Sequence, residues 1–219
     1  MSLIQLQNVK KSYGHQLVLK DVSMQVEAGE QVVITGPSGS GKSTLLYLLG
    51  GLDRPDSGQI LVEGKNISKF TPDQLARFRN SSVGFIFQFH FLLPSMDALS
   101  NILLPARIAG QDEKIIKKEI LKWADELGVI QVLDKRPYQL SGGEQQRIGL
   151  LRAISLRPKI LLCDEPTGNL DSKNSSKVIH LLKEFSHQLK SALLVVTHDP
   201  QVAGQIPRKL FLQDGVLQQ

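Results

Sequence analysis

Nine residues dictate the centre of whatever this chain folds into. Gly36-Pro37-Ser38-Gly39-Ser40-Gly41-Lys42-Ser43-Thr44 fits the pattern G-x-x-x-x-G-K-[ST]. The apolar run Gln31-Val32-Val33-Ile34-Thr35 precedes it and suits a buried strand. Ser43-Thr44-Leu45-Leu46-Tyr47-Leu48-Leu49 follows with helical character, ended by Gly50-Gly51. A strand feeding a glycine loop that opens a helix commits the chain to an α/β core. Glycines let backbone N–H groups curl round phosphates, and the helix N-terminus adds partial positive charge. Lys42 would then reach the β- and γ-phosphates of a nucleoside triphosphate, and Ser43 would offer its hydroxyl to Mg²⁺. A glycine-rich turn without a ligand is the competing reading, and it leaves the order of Gly, Lys and Ser without a reason.

The flanks supply the remaining elements. Ile4 to Val9 and Val18 to Val26 alternate like antiparallel strands, with Ala28-Gly29-Glu30 as a turn. Gln59 to Gly64 and Val83 to Gln88 read as further strands. From about Leu99 to Gly128 the character is helical. Ile115, Ile116, Ile120, Trp123, Ala124 and Leu127 make one face of a helix there, with Trp123 as packing. Gly143 to Leu156 and Ser175 to Leu189 read as helices. Ile160 to Asp164 and Ala192 to Thr197 read as buried strands of parallel-sheet type, and Leu210 to Leu217 as a strand, a turn and a strand start.

Composition narrows the class. A chain of 219 residues, 21% charged and 41% hydrophobic, can hold one substantial core with a subdomain inserted. The single cysteine, Cys163, excludes an internal disulfide, fits a reducing compartment and lies in an apolar run as a packing residue. No stretch reaches the roughly 20 apolar residues needed to span a bilayer. The opening residues lack a signal peptide's apolar block, so any membrane role is expected to come from a partner. The net charge of +5 is scattered and only 5% of residues are aromatic, which argues against a nucleic-acid groove.

Chemistry gathers at five further places. Asp164-Glu165 ends an apolar strand. Asp164 is assigned to Mg²⁺, and Glu165 to general base or water orientation. Alone the pair would read as a loop or helix cap; its place downstream of the glycine loop favours catalysis. In Leu140-Ser141-Gly142-Gly143-Glu144-Gln145-Gln146-Arg147, Ser141 and Glu144 form the capping box that can start any helix. Two glycines in a first turn weaken a helix, yet they admit a phosphate close to the backbone. His198 can bond a γ-phosphate and hold the attacking water, Gln88 can bind Mg²⁺, and Tyr13 can stack on adenine. A strand-end histidine, an uninformative glutamine and a turn tyrosine are the plain alternatives.

Taken together, the chain resembles the ABC transporter ATPase family from end to end. Tyr13 matches that family's adenine-stacking loop, Gly36 to Thr44 its Walker A, Gln88 its Q-loop and Leu140 to Arg147 its signature. Ile160 to Glu165 matches Walker B, Gly168-Asn169-Leu170-Asp171 the D-loop and His198 the switch histidine, all in family order. The resemblance implies a P-loop RecA-like α/β core with an N-terminal antiparallel β-subdomain and an inserted α-helical subdomain. The single domain 1–219 would divide into core plus β-subdomain at 1–91 and 157–219, and a helical subdomain at 92–156. It also implies ATP and Mg²⁺ as cofactors, with catalysis by Glu165, His198 and Lys42. The nucleotide would be held by Tyr13, residues 36–44 and Gln88, and in trans by Ser141, Gly142, Gly143 and Asp171. Ser43, Gln88 and Asp164 would hold the metal. Two copies would sandwich two ATPs.

Finer features resemble the lipoprotein-releasing and macrolide-exporter branch: Leu48 to Pro55, Gly84 to Pro94 and Glu165 to Asp171. That branch implies a peripheral subunit on the cytoplasmic face of the inner (plasma) membrane, powering a separate permease that docks near Phe89, Phe91 and Leu92. Ordinary core is the alternative for that docking segment. Where the family often reads Val-Ala-Ile-Ala-Arg-Ala, this chain has Ile148-Gly149-Leu150-Leu151-Arg152-Ala153. Cell-division and peptide-sensing ATPases share much of the pattern. A soluble ATPase acting on nucleic acid or ribosomes would want two fused halves or a coiled-coil insertion. A module that binds ATP without turnover would not need Glu165 and His198.

Overall fold

A computed structural model describes residues 2–88, 91–168 and 172–218, with backbone alone at 172–174. Phe89, His90, Asn169, Leu170 and Asp171 lie outside the described residues. The chain opens with β1 (Ile4–Tyr13) and β2 (Gln16–Val26), then β3 (Gln31–Thr35), α1 (Lys42–Leu49), β4 (Ser57–Val62), β5 (Lys65–Asn66), α2 (Pro72–Ser82) and β6 (Val83–Phe87). Helices α3 (Ala98–Ile108), α4 (Glu113–Glu126) and α5 (Gly142–Ile154) follow. The remainder is β7 (Ile160–Asp164), α6 (Ser172–Leu189), β8 (Ala192–Val196), α7 (Pro200–Gly204), β9 (Arg208–Gln213) and β10 (Val216–Gln218).

Two sheets result. One is antiparallel in the order β2-β1-β4-β5; the other runs β10-β9-β3-β8-β7-β6 and is parallel except for β10. The central strands are apolar throughout because both faces are covered. Leu161, Cys163, Leu193 and Val195 point into a core shared with α4, α5 and α6. Ile160, Leu162, Leu194 and Val196 point into a second core shared with α1 and the antiparallel sheet. Trp123 of α4 packs edge-on against Phe185 of α6, 5.4 Å between centroids, as its place on the helical stripe predicts.

Two helices escape the sequence pattern. α2 has little apolar periodicity, since only Leu75 and Phe78 are buried, but it is nucleated by a capping box between Thr71 and Gln74 with Pro72 at its first position. α7 is a single turn capped by Asp199. β1 continues past Val9 to Tyr13, and α5 begins one residue before Gly143. Leu92, expected at a docking surface, is 9% exposed and belongs to the helical-side core.

Candidate active site

Parallel register brings the chemistry together. Ile34 pairs with Val196, Val196 with Asp164, and Asp164 with Phe87. The segments that leave β3, β8, β7 and β6 therefore emerge side by side at the carboxyl edge of the sheet, where open α/β sheets bind ligands. Those segments carry the glycine loop, Thr197-His198, Glu165 and Gln88. They line one cleft of about 390 Å³ with Val18, Ser38, Gly39, Gly41, Lys42, Ser43 and Thr44.

Loop geometry is fixed by what glycine alone permits. A Cβ on Gly36 would stand 2.0 Å from the Leu212 carbonyl oxygen, and Gly41 holds φ 103° where the loop turns into α1. Lys42 is 9% exposed, and its Nζ donates to the Gly36 and Pro37 carbonyls at 2.8 and 2.9 Å. Ser43 Oγ donates to Asp164 Oδ1 at 3.0 Å. Burial pushes the Asp164 carboxyl above its ordinary range, and Ser43 and Tyr47 oppose the shift by hydrogen bonding. The Ser40 hydroxyl is buried without a hydrogen-bond partner among the described residues. An ammonium, a hydroxyl-carboxylate pair and an unsatisfied hydroxyl at a helix N-terminus fit a triphosphate and its divalent cation.

Glu165 holds φ 46°, a left-handed conformation costing an ordinary residue about 1–2 kcal/mol. Three contacts brace it. Oε2 accepts from Thr197 Oγ1 at 2.8 Å, and Oε1 accepts from the His198 backbone N–H at 3.0 Å and meets His198 Nδ1 at 2.7 Å. Gln88 lies under the turn after Glu165, since a Cβ on Gly168 would come within 2.7 Å of Gln88 Nε2. A carboxylate in this position can orient a water toward a phosphate seated on the glycine loop.

Ser141 and Gly143 line a different cleft, about 590 Å³, between α5 and α6 with Arg147, Lys177 and His180. Ser141 caps α5: its Oγ accepts from the Glu144 N–H at 3.4 Å, and Glu144 Oε2 accepts from the Ser141 N–H at 2.7 Å. Gly142 is exposed beside it, and Asp171 is outside the described residues. Buried Gln146 donates from α5 to the Pro166 carbonyl, joining the signature helix to the turn that carries Glu165. Sequence alone gives Gln146, Thr197 and Tyr47 places in the signature, a strand and a helix but no role of their own. Tyr47 was the most accessible of them, lying one helical turn after Ser43 and so on the same face.

Fold and site define a P-loop nucleoside-triphosphate hydrolase. The family described as ABC transporter matches residues 19–168. The chain is 44% identical over 220 aligned residues to the lipoprotein-releasing system ATP-binding protein LolD of Shewanella oneidensis, covering 99% of this chain and 96% of the relative. It is 43% identical to the protein of that name from Bdellovibrio bacteriovorus, covering 95% and 96%. Among solved structures, it is similar to the dimeric MJ0796, a bacterial ABC transporter cassette, at 37% identity and a TM-score of 0.88, covering 99% and 97%. A dimeric post-hydrolysis MJ0796 bound to ADP and Pi superposes with a TM-score of 0.87, at the same identity and coverage. The chain belongs to the ABC transporter ATPase family, and its activity is ATP hydrolysis.

Proposed function

We propose that this chain is the ATPase subunit of a lipoprotein-releasing transporter, working as a head-to-tail homodimer on the cytoplasmic face of the inner membrane. The observation that carries the reading is the braced Glu165 carboxylate sharing one cleft with Lys42 and Ser43. The whole-length similarity to lipoprotein-releasing ATP-binding proteins supports the cargo class. No helix among the described residues is long and apolar enough to cross a membrane, which fits a peripheral subunit that borrows a permease.

In this reading the loop N–H groups of residues 36–44 and the Lys42 ammonium hold the phosphates, and Tyr13 stacks on adenine. Ser43, Gln88 and Asp164 hold Mg²⁺, which would neutralise phosphate charge. Glu165 orients the attacking water, and His198 bonds the γ-phosphate while keeping Glu165 aligned. Ser141, Gly142, Gly143 and Asp171 complete the site from the second copy, consistent with the signature lining a separate cleft within one chain. Residues 92–156 form the helical subdomain, and Phe91, 64% exposed, belongs to the permease-docking surface.

The test is capture from detergent-solubilised membranes with tagged Glu165→Gln protein and ATP, followed by mass spectrometry. A permease with a large periplasmic domain and bound lipoprotein is expected. Recovery of ribosomal proteins with no permease would overturn the reading.

A further inference from the structure

Tyr13 is not simply an exposed ring at the end of β1. Its hydroxyl donates to Asp53 Oδ2 at 2.6 Å and also meets the Thr44 side chain on the first turn of α1. Asp53 lies in the loop after α1, and its second oxygen accepts from the Arg54 N–H at 2.7 Å and from Lys11 Nζ at 2.8 Å. Lys11 is 8% exposed and also donates to the Arg54 carbonyl at 2.8 Å. The same ammonium stands over the Tyr13 ring, 5.0 Å from its centroid. Burial alone would raise the Asp53 carboxyl, but bonds from Lys11, Tyr13 and the Arg54 N–H outweigh it and hold the group below its ordinary range.

Structural needs do not explain the whole arrangement. β1 is already tied to this loop by the Ser12 N–H to Asp56 at 2.6 Å and the Asp56 N–H to the Lys10 carbonyl at 2.9 Å. The extra bonds act on a ring that stays 49% exposed. They fix its hydroxyl against the helix that carries Lys42 and Ser43, and they cover one face with a cation. A planar base would stack on the opposite face.

We propose that Asp53, assisted by Lys11, is a positioning residue for the nucleotide base: it holds Tyr13 in its stacking orientation before ATP arrives. The proposal rests on the reading of Tyr13 as the base-stacking residue. An unheld ring would have to be ordered on binding, which weakens affinity by about two- to tenfold per side chain. Loss of the stack itself weakens it by about fivefold or more.

Isothermal titration calorimetry with MgADP, and competition with inorganic pyrophosphate as a probe without a base, test this directly. Tyr13→Ala is expected to lose about fivefold or more in ADP affinity. Tyr13→Phe, Asp53→Ala and Lys11→Met are each expected to lose about two- to tenfold. Pyrophosphate affinity is expected to hold in all four. Tyr13→Phe combined with Asp53→Ala should be no weaker than Asp53→Ala alone, because the bond that Tyr13→Phe removes is already lost with Asp53. Unchanged ADP affinity in Tyr13→Ala would sink the stacking reading and the proposal with it. A normal loss in Tyr13→Ala, with wild-type binding in Tyr13→Phe and Asp53→Ala, would leave stacking intact and overturn the positioning role alone. Equal losses for ADP and pyrophosphate in Asp53→Ala would mark a support of the phosphate loop and overturn the proposal too. Tyr13→Phe keeps the ring at an exposed position, so the test survives if Asp53→Ala folds poorly.

Discussion

Asp164 ends β7 and Glu165 follows it, and the two carboxylates carry separate tests. Asp164 carries an acid whose folded-state pKa is raised, first by burial, so its ionised form is unfavourable in the fold. The native state therefore binds the proton more readily than the unfolded chain, so stability falls as pH rises above the ordinary carboxylate range. Asp164→Asn removes that charge while keeping an acceptor for Ser43 and Tyr47. It is expected to raise the Tm at neutral pH, a gap that closes as pH is lowered into the acid range, while turnover collapses. Scanning calorimetry at several pH values with a phosphate-release assay checks both halves. Glu165→Gln should lower turnover by about 10²–10⁴-fold and leave ATP affinity near wild type. A fall in affinity of the same size would give Glu165 a binding role. Lys42, Ser43, Glu165, Gln88 and His198 were legible because each sits at a strand end or loop that the glycine motif had already placed. Thr197 and Gln146 were not, since a hydroxyl and an amide acquire meaning only from partners 32 and 20 residues away.

Helix α5 shows how one serine can serve local structure and chemistry together. Ser141 is its N-cap, and the Ser141 hydroxyl and N–H hold the Glu144 carboxyl below its ordinary range. Ser141→Ala should cost about 1 kcal/mol in urea unfolding from the lost cap. Ser141→Asn caps as well and keeps an N–H donor for Glu144, but it removes the hydroxyl that the signature is expected to turn toward a phosphate. Stability near wild type with ATPase turnover lost is therefore the outcome for Ser141→Asn; a variant both stable and active would reduce the signature serine to a cap. At this scale β3 and β7 were readable to the residue, because a strand buried on both faces is apolar without interruption. α2 was not, because its start is encoded by the Thr71–Gln74 box rather than by an apolar stripe.

Across the whole molecule, the glycine loop and the signature open into different clefts, so a second copy is built into the proposed mechanism rather than added to it. Glu165→Gln with MgATP is expected to elute as a dimer in size-exclusion chromatography with light scattering, and as a monomer without nucleotide. A monomer under both conditions would contradict the sandwich. Phe91 packs its ring edge-on to Phe87 at 5.4 Å, and its carbonyl accepts from Arg152 at 2.8 Å, which presents the ring outward from a held backbone. Phe91→Ala should weaken capture of the permease with ATP affinity retained, as read by quantitative pull-down beside calorimetry. Leu92, buried one residue on, could not be told from Phe91 in the sequence because both are apolar in one run and only the packed helices separate them.

Trp123 is the only tryptophan in the chain, and it sits where α4 meets α6. Its emission is therefore a natural gauge of that joint, with no label to attach and no second indole to confuse it. Any rotation of α4 away from α6 would part the indole from Phe185 and admit water, shifting the emission to the red. Nucleotide added to the unmodified protein in a stopped-flow fluorimeter would then report the timing of that rotation turnover by turnover.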